Sequence, residues 1–330
     1  MDQINSNKAK WFLPSLVAVG AVVLCATPFV GMYDISLTDV FGSAESGVAG
    51  RIFWNLRVPR VVAAFLAGAA LSLGGMCFQS LFRNSLATPY TLGVSSGAAL
   101  GVSLALYVGV SAALGAGACA FAGALVAISL VYGLTHARGG SSTATMLLAG
   151  VALSFTFSSL LLFIHYISRV SDSFRMIRWL MGGVEVAGMK SLLSLGAFAL
   201  VGAVVVWWHT GDLNLLAVGE EFAASRGADV SRVKLRLFLA VSLMVAGVVA
   251  ICGPIGFVGM VCPHICRLAG GRNHRRLAFT APLFGGVFLV LCDTLARTVI
   301  APAEIPVGVV TALLGGPFFL WLLLSRRRIS

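Results

Sequence analysis

The sequence predicts an all-α membrane protein with about ten transmembrane helices. Hydrophobic residues make up 58% of the 330-residue chain and charged residues only 11%, whereas about a quarter of a soluble domain is charged. The mean hydropathy is +0.96, so folding alone cannot hide the apolar surface from water. The apolar runs are long and lack period-two alternation. They are therefore helices, because every backbone polar group needs an internal partner in lipid.

Each predicted helix corresponds to one apolar segment. The first follows Lys8 and Lys10 but spans a full membrane thickness and lacks a signal-peptide cleavage motif, so we expect it to be retained. The eighth is too short to cross a hydrocarbon core of roughly 30 Å alone. We expect it either to be a half-helix or to share its crossing with residues 253–255. The predicted segments are 11–31, 58–80, 91–109, 113–136, 144–167, 190–209, 236–252, 256–268, 276–297 and 307–325.

The net charge of +11 is better explained by membrane orientation than by nucleic-acid binding. If the N-terminus lies in the cytoplasm and the spans alternate, most of the 23 basic residues fall in cytoplasmic segments, as the positive-inside rule requires. We therefore expect one transmembrane domain over residues 1–330, with both termini cytoplasmic. Some basic residues remain on the outer side and need their own explanation, among them Arg57, Arg60 and Arg297.

Segments two and three form a unit similar to segments seven and eight. In each unit a long helix leads to a proline, Pro89 or Pro254, and then to a short helix. Five crossings separate the units, so they would run in opposite directions. This layout predicts an inverted repeat with interrupted helices, which is typical of transporters.

Small residues recur at four-residue spacing, as in Gly93–Gly97–Gly101 and Cys119–Gly123–Ala127. Such stripes favour close packing of helices over the alternative of a smooth wall along a path. The seven cysteines lie in or beside apolar runs, so we interpret them as small buried side chains.

A Cys-Pro-His-Ile-Cys run at 262–266 raises the question of a metal site. Cys262 and Cys266 could share one helix face, but nothing nearby completes four ligands. We expect helix packing here. The alternative is a membrane metalloenzyme built on Cys262, His264 and Cys266 with His165 or His209.

Almost no carboxylates lie inside the apolar runs, and this scarcity argues against a proton-driven carrier. The exception, Asp293, precedes Arg297 by four residues, so we expect a local ion pair. The chain has no Gly-x4-Gly-Lys-Ser/Thr motif and cannot hold ATP by a P-loop. A separate ATPase would have to supply the energy, and an ion-gradient-driven transporter remains the alternative.

Residues 211–236 interrupt the succession of apolar segments with charged residues. This stretch is suited to docking a cytoplasmic partner. We expect Leu213, Leu216, Val218 and Phe222 to share one face of a short helix. We expect Gly227 to end that helix and Asp229 to cap the next one. An ordinary amphipathic interfacial loop is the alternative.

Four long stretches, 57–101, 219–234, 253–277 and 293–323, resemble the permease subunits of the iron-siderophore, haem and cobalamin ABC importers. This is the FecCD-type family with the type II importer fold. The resemblance implies ten helices per subunit, a homodimer around a central path, and two separate ATPase subunits that bind ATP-Mg. It also implies an extracytoplasmic binding protein, a bacterial cytoplasmic membrane, and no cofactor or chemistry in this chain.

The resemblance also assigns roles to residues. Arg57, Arg60 and Arg297 match positions that pair with glutamates of the binding protein. For Arg57 and Arg60 the alternative is ion pairing within the chain or to lipid headgroups. The ATPase-coupling residues are Gly219, Glu220, Glu221, Phe222, Ala223, Ala224, Arg226, Gly227 and Asp229. Phe222 interrupts the family's E-A-A-x-x-x-G spacing there.

The family's translocation path corresponds to the residues Gln79, Asn84, Pro89, Gly93, Ser96, Gly97, Phe163, Met176 and Trp179. A place in the bundle core is the alternative for the large apolar members of this set. The implied substrate is an iron chelate, either a ferric siderophore or haem, with cobalamin as the alternative.

Overall fold

The computed structural model describes residues 2–33, 35–36, 40, 48–110, 112–137, 143–184 and 188–326. We number the helices in chain order. They are α1 (Asp2–Ala26), α2 (Val48–Ile52), α3 (Val58–Leu81), α4 (Val94–Tyr107), α5 (Ala112–Ala137), α6 (Thr143–Ile167), α7 (Val170–Leu180), α8 (Met189–Trp208), α9 (Thr210–Val218), α10 (Glu220–Ser225), α11 (Val230–Cys252), α12 (Val258–Gly270), α13 (His274–Thr298) and α14 (Val307–Arg326). A π-helical turn, Phe53–Arg57, joins α2 to α3.

The ten predicted segments are confirmed as α1, α3, α4, α5, α6, α8, α11, α12, α13 and α14. Within the described residues, seven helical stretches are long and apolar enough to cross a membrane, while α4 and α14 are shorter apolar helices. The sequence did not resolve α2 and α7 as separate helices. The expected single helix before Gly227 is instead two helices, α9 and α10, with a break at Gly219.

Helix α3 lies at the centre of the bundle and packs against α8, α11, α12 and α13. Glycines allow these close approaches. A methyl group on Gly68 would overlap the backbone of Gly285 in α13, and one on Gly75 would overlap the carbonyl group of Gly259 in α12. The small-residue stripes of α4 and α5 likewise meet at Gly97 and Gly123. Helix packing, the favoured interpretation of the stripes, is therefore confirmed for these pairs.

The expected interruption before the eighth segment is present. Helix α11 ends at Gly253, where φ is +66°, and α12 begins only after Phe257, where φ is +65°. A left-handed phenylalanine is strained and needs support from its surroundings. The phenylalanine ring fills the space beside Gly315 of α14. Packing against α14 thus holds the break in place, and α12 is a half-helix, one of the two arrangements that the sequence predicts.

The two proposed repeat units have the same layout in the structure. Helix α3, the non-helical residues around Pro89 and the short α4 correspond to α11, residues 253–257 and the short α12. The units also pack against each other, because α3 contacts both α11 and α12, and α4 contacts α11.

Candidate functional site

Residues 211–236, which we call the coupling segment, lie at the end of the bundle where α3 finishes. Leu213 and Leu216 of α9 are buried against the core, whereas Val218 is exposed and Phe222 partly so. The expected common apolar face therefore holds only for the first two residues. Helix α9 is also held by Asn214, because its side-chain oxygen accepts a hydrogen bond of 2.9 Å from the backbone N–H of His274 in α13.

The end of the coupling segment folds as its local sequence predicts. Gly227 adopts φ +85° and its N–H donates to the carbonyl oxygen of Ala224, which closes the turn after α10. The Asp229 carboxylate accepts from the backbone N–H of Arg232 at 3.1 Å and caps α11. Both features are expected from residue type, since glycine tolerates positive φ and aspartate is a favoured N-cap.

Most of the predicted coupling residues form an exposed surface. Ala223 is buried and anchors α10, whereas the Arg226 guanidinium lies 5.4 Å above the centre of the Phe222 ring. A short helix with one anchored face and an outer face of charged and aromatic groups is suited to docking. The exposed members are Glu220, Glu221, Phe222, Ala224, Arg226, Gly227 and Asp229, and Gly219 is half-buried.

A buried lysine ties this segment to two transmembrane helices. Lys234 of α11 is 2% exposed, and its Nζ atom lies 2.6 Å from Oε1 of Glu220 and 3.0 Å from Oγ1 of Thr143. The Thr143 hydroxyl also donates to Glu220 at 3.0 Å. These contacts join α10, α11 and the first residue of α6. No role was predicted for Lys234. It lies between Arg232 and Arg236 in a stretch rich in charged residues, so its sequence context carries no sign of burial.

The same contacts change the pKa of the Glu220 carboxylate. Burial alone would raise the pKa of this carboxylate, but the hydrogen bonds from Lys234 and Thr143 and the charge of Lys234 bring the pKa below its ordinary value. The ionised form is therefore the one that the folded protein stabilises.

We expect Glu220→Gln to destabilise the protein by about 2 kcal/mol and Lys234→Met to cost less. The first change leaves an ammonium group in the core without its counter-charge, whereas the second removes the buried charge and keeps an apolar stem. The effect falls below the value for a fully buried pair because Glu220 is about half exposed and solvent screens it. Thermal unfolding in detergent would measure both, and a larger loss for Lys234→Met would contradict this account.

The depressed pKa of Glu220 also predicts a pH dependence. A group whose pKa is lower in the folded state stabilises that state above its unfolded pKa, and the contribution disappears as the pH falls through both values. The difference in melting temperature between the unmodified protein and Glu220→Gln should thus shrink on going from pH 7 to pH 4. An unchanged difference would mean that the ion pair does not titrate as described.

A second polar cluster lies at the opposite end of the bundle, where α3 begins. Asp293 is 1% exposed, and its carboxylate lies 3.0 Å from Nη2 of Arg60 and 3.1 Å from Nε of Arg297. The second arm of Arg60 reaches the exposed Glu304 at 2.9 Å. We call these four residues the arginine–carboxylate cluster. The expected Asp293–Arg297 pair is confirmed, but the participation of Arg60 and Glu304 was not predicted.

Arg57 lies beside this cluster and is held by backbone groups. It is 7% exposed, and its guanidinium donates to the carbonyl oxygens of Pro28 at 3.0 Å and Phe29 at 3.2 Å. Arg297 is similarly buried, whereas Arg60 keeps 19% of its side chain exposed. Ion pairing within the chain, one alternative that the sequence left open, is thus present for Arg60. The contacts described for Arg57 are hydrogen bonds to backbone carbonyl oxygens. The role of the three arginines in docking a binding protein stays a prediction.

The residues assigned to the translocation path occupy different environments. Gln79 donates to the carbonyl oxygens of Gly259 and Met260, both at 3.2 Å, and accepts from Arg267. The other members divide by burial: Pro89, Gly93, Gly97 and Met176 are buried, Asn84, Ser96 and Trp179 are half-buried, and Phe163 is exposed. Trp179 also lines a cavity of about 980 Å³ that reaches Arg60 and Glu304. The assignment of a path wall stays a prediction.

The Cys-Pro-His-Ile-Cys run lies in α12. The side chains of Cys262 and Cys266 are fully buried, and the Cys266 thiol donates to the carbonyl oxygen of Thr280 at 3.6 Å. Within the described part of the chain, no group of three or more histidine, cysteine, aspartate or glutamate side chains is placed to hold a metal. These two cysteines act here as small packing residues.

Comparisons with known proteins cover almost the whole chain. The model of the FecCD transport family matches residues 17–325. The hemin transport system permease protein of Yersinia pestis is 37% identical over 303 residues, which is 90% of each chain. The vitamin B12 import system permease protein of Salmonella typhi is 43% identical over 284 residues, which is 84% of this chain and 86% of the relative.

A solved structure described as an inward-facing conformation of a metal-chelate type ABC transporter has the same fold. It superposes with a TM-score of 0.86 at 30% sequence identity, and the alignment covers 95% of this chain and 98% of that chain.

Proposed function

The chain belongs to the FecCD transport family and is the permease subunit of an ATP-binding-cassette importer, and on this premise we propose that it carries an iron chelate. The observation that supports this substrate is the similarity to a hemin permease over 90% of both chains. A ferric siderophore or haem would then cross the membrane. Cobalamin is the second candidate, favoured by the 43% identity to vitamin B12 permeases.

The family implies an ATPase and a substrate-binding protein as partners. We propose a homodimer of this chain around a central path, with two ATPase subunits that hold ATP-Mg and no cofactor in the permease itself. We place the importer in the bacterial cytoplasmic membrane with both termini in the cytoplasm. The family assignment replaces the ion-gradient-driven and metalloenzyme alternatives.

We propose that the coupling segment docks to the ATPase through its exposed face, around Glu221, Phe222 and Arg226. Movement of α10 would then pass to the membrane helices through Lys234, because this lysine contacts both Glu220 and the beginning of α6. A polar link anchored by a buried lysine transmits displacement better than a fully exposed ion pair, since the ammonium group of Lys234 cannot exchange freely with water.

For the binding protein, we propose that Arg60 is the docking residue and that Glu304 is displaced when docking occurs. The Glu304 carboxylate pairs with the exposed arm of Arg60, while Asp293 holds the buried arm. A glutamate of the binding protein would take the place of Glu304. Such charge pairs fix register and steer association.

This proposal predicts that Glu304→Gln strengthens binding of the binding protein two- to fivefold. The reason is that Glu304 would no longer compete with the binding protein's glutamate for Arg60. Asp172→Asn is the matched control, because it removes one negative charge beside Arg175, which lines the same cavity as Glu304. Surface plasmon resonance on nanodiscs would measure both affinities. Equal affinities for the two variants and the unmodified protein would mean that Glu304 is not displaced from Arg60 on docking.

Transport by the reconstituted importer tests the substrate. Proteoliposomes would contain the permease and its ATPase, with the binding protein loaded in turn with ferric siderophore, haem and cobalamin. ATP-dependent uptake of an iron chelate supports the proposal, and uptake of cobalamin alone replaces it with the second candidate. Uptake that continues without the ATPase would overturn the importer mechanism.

A further inference from the structure

A surface at the same end of the bundle as the coupling segment combines exposed arginines with aromatic rings. Arg275 and Arg276 lie in the first turn of α13 and are exposed. Phe279 follows them by four and three residues, so both arginines flank its ring on the helix surface. Phe279 is 56% exposed and stacks on Trp207 of α8, with ring centres 5.3 Å apart. We call these four residues, together with the exposed Arg272 and Trp208, the basic–aromatic surface.

The tryptophans place this surface at the boundary between lipid and water. Trp207 is fixed in orientation because its Nε1–H donates to the carbonyl oxygen of Ala278 at 2.8 Å. Trp208, the last residue of the apolar helix α8, is 83% exposed. Tryptophan at the end of a membrane-spanning helix typically lies at the level of the lipid headgroups. The adjacent arginines would thus meet the headgroups and not the acyl chains.

Within the described parts of the chain, the arginines of this surface have no carboxylate partner. The chain has no acidic residue between Asp229 and Asp293. Among the residues that the structure describes, no ion pair involves Arg272, Arg275 or Arg276. Three guanidinium groups close in sequence repel one another, and an anion bound between them would relieve this repulsion.

We propose that the basic–aromatic surface binds the headgroup of an anionic phospholipid. The guanidinium groups of Arg275 and Arg276 would hold the phosphate, since the planar fork of arginine matches phosphate oxygens. The acyl chains would lie along Phe279 and Trp208. Basic pockets beside membrane helices on the cytoplasmic side recognise anionic lipids in this manner. This inference rests on the proposed function in one respect: the proposed function places the coupling segment, and therefore this surface, on the cytoplasmic side of the membrane.

The test uses the permease purified with its ATPase, stripped of lipid in detergent and titrated with phosphatidylglycerol or phosphatidylcholine under native mass spectrometry. The double variant Arg275→Gln/Arg276→Gln should bind phosphatidylglycerol about 30-fold more weakly, since each basic residue near a headgroup contributes roughly a fivefold gain. Phosphatidylcholine binding should not change. Arg275→Lys/Arg276→Lys should restore most of the binding because charge is retained.

The matched control is Arg51→Gln/Arg169→Gln, which removes two exposed arginines outside this surface. This control should bind phosphatidylglycerol as the unmodified complex does. Equal binding by all variants would overturn the proposal. Unchanged lipid binding with loss of the ATPase from the Arg275→Gln/Arg276→Gln complex would overturn it in favour of an ATPase contact. Because lipid binding is measured directly, the outcome does not depend on which substrate the importer carries.

Discussion

Replacing Asp293 by asparagine is expected to destabilise the permease by about 3–5 kcal/mol, the cost of removing one partner from a buried ion pair. The change is nearly isosteric, so it removes the charge without opening a cavity. The buried side of Arg60 and the buried guanidinium of Arg297 would then share no counter-charge, because Glu304 reaches only the outer arm of Arg60. In a lipid-facing bundle, such uncompensated charges are especially unfavourable.

Thermal unfolding with a thiol-reactive dye would measure this effect. Five cysteines are buried in the folded chain and become reactive on unfolding, namely Cys77, Cys252, Cys262, Cys266 and Cys292. Asp172→Asn is the matched control, because Asp172 pairs with the exposed Arg175 at 3.7 Å and such pairs contribute little. Similar melting temperatures for Asp293→Asn and Asp172→Asn would show that the arginine–carboxylate cluster does not stabilise the fold.

Replacing Gly75 by alanine is expected to have the second large effect, a destabilisation of about 3 kcal/mol. A methyl group there would overlap the carbonyl group of Gly259, which is backbone and cannot rotate away. Helices α3 and α12 would have to separate, and the buried Gln79 would lose its hydrogen bonds to the carbonyl oxygens of Gly259 and Met260. Because α3 is the central helix, we expect loss of transport as well as of stability.

The same unfolding measurement, combined with uptake into proteoliposomes, checks this result. Gly133→Ala is the matched control. Gly133 also lies inside a helix, but nothing lies within 4 Å of a Cβ added to it. Alanine has a higher helix propensity than glycine, so this control should be neutral or slightly stabilising. If Gly75→Ala behaves like Gly133→Ala, then the α3–α12 contact is looser than the structure shows.

The sequence was sufficient to predict the helices because few backbone conformations are stable in lipid. An apolar run of membrane length must be helical to satisfy its backbone, so the ten predicted segments match ten helices. Local rules also placed the turn at Gly227 and the cap at Asp229, since both depend on a few adjacent residues. The motifs further indicated the family, which the comparisons then showed.

Only the tertiary structure decided which polar and charged residues meet when they are far apart in sequence. Arg60 and Asp293 are 233 positions apart, and Thr143 and Lys234 are 91 apart. No periodicity predicts such pairs, because they depend on how the helices are ordered around α3. Burial likewise changed the interpretation of Arg57. The sequence places this arginine on the outer side of the membrane, but in the structure its guanidinium donates hydrogen bonds to backbone carbonyl oxygens. The sequence determined the class of protein, its helices and the local Asp293–Arg297 pair, whereas packing determined which charges distant in sequence are paired.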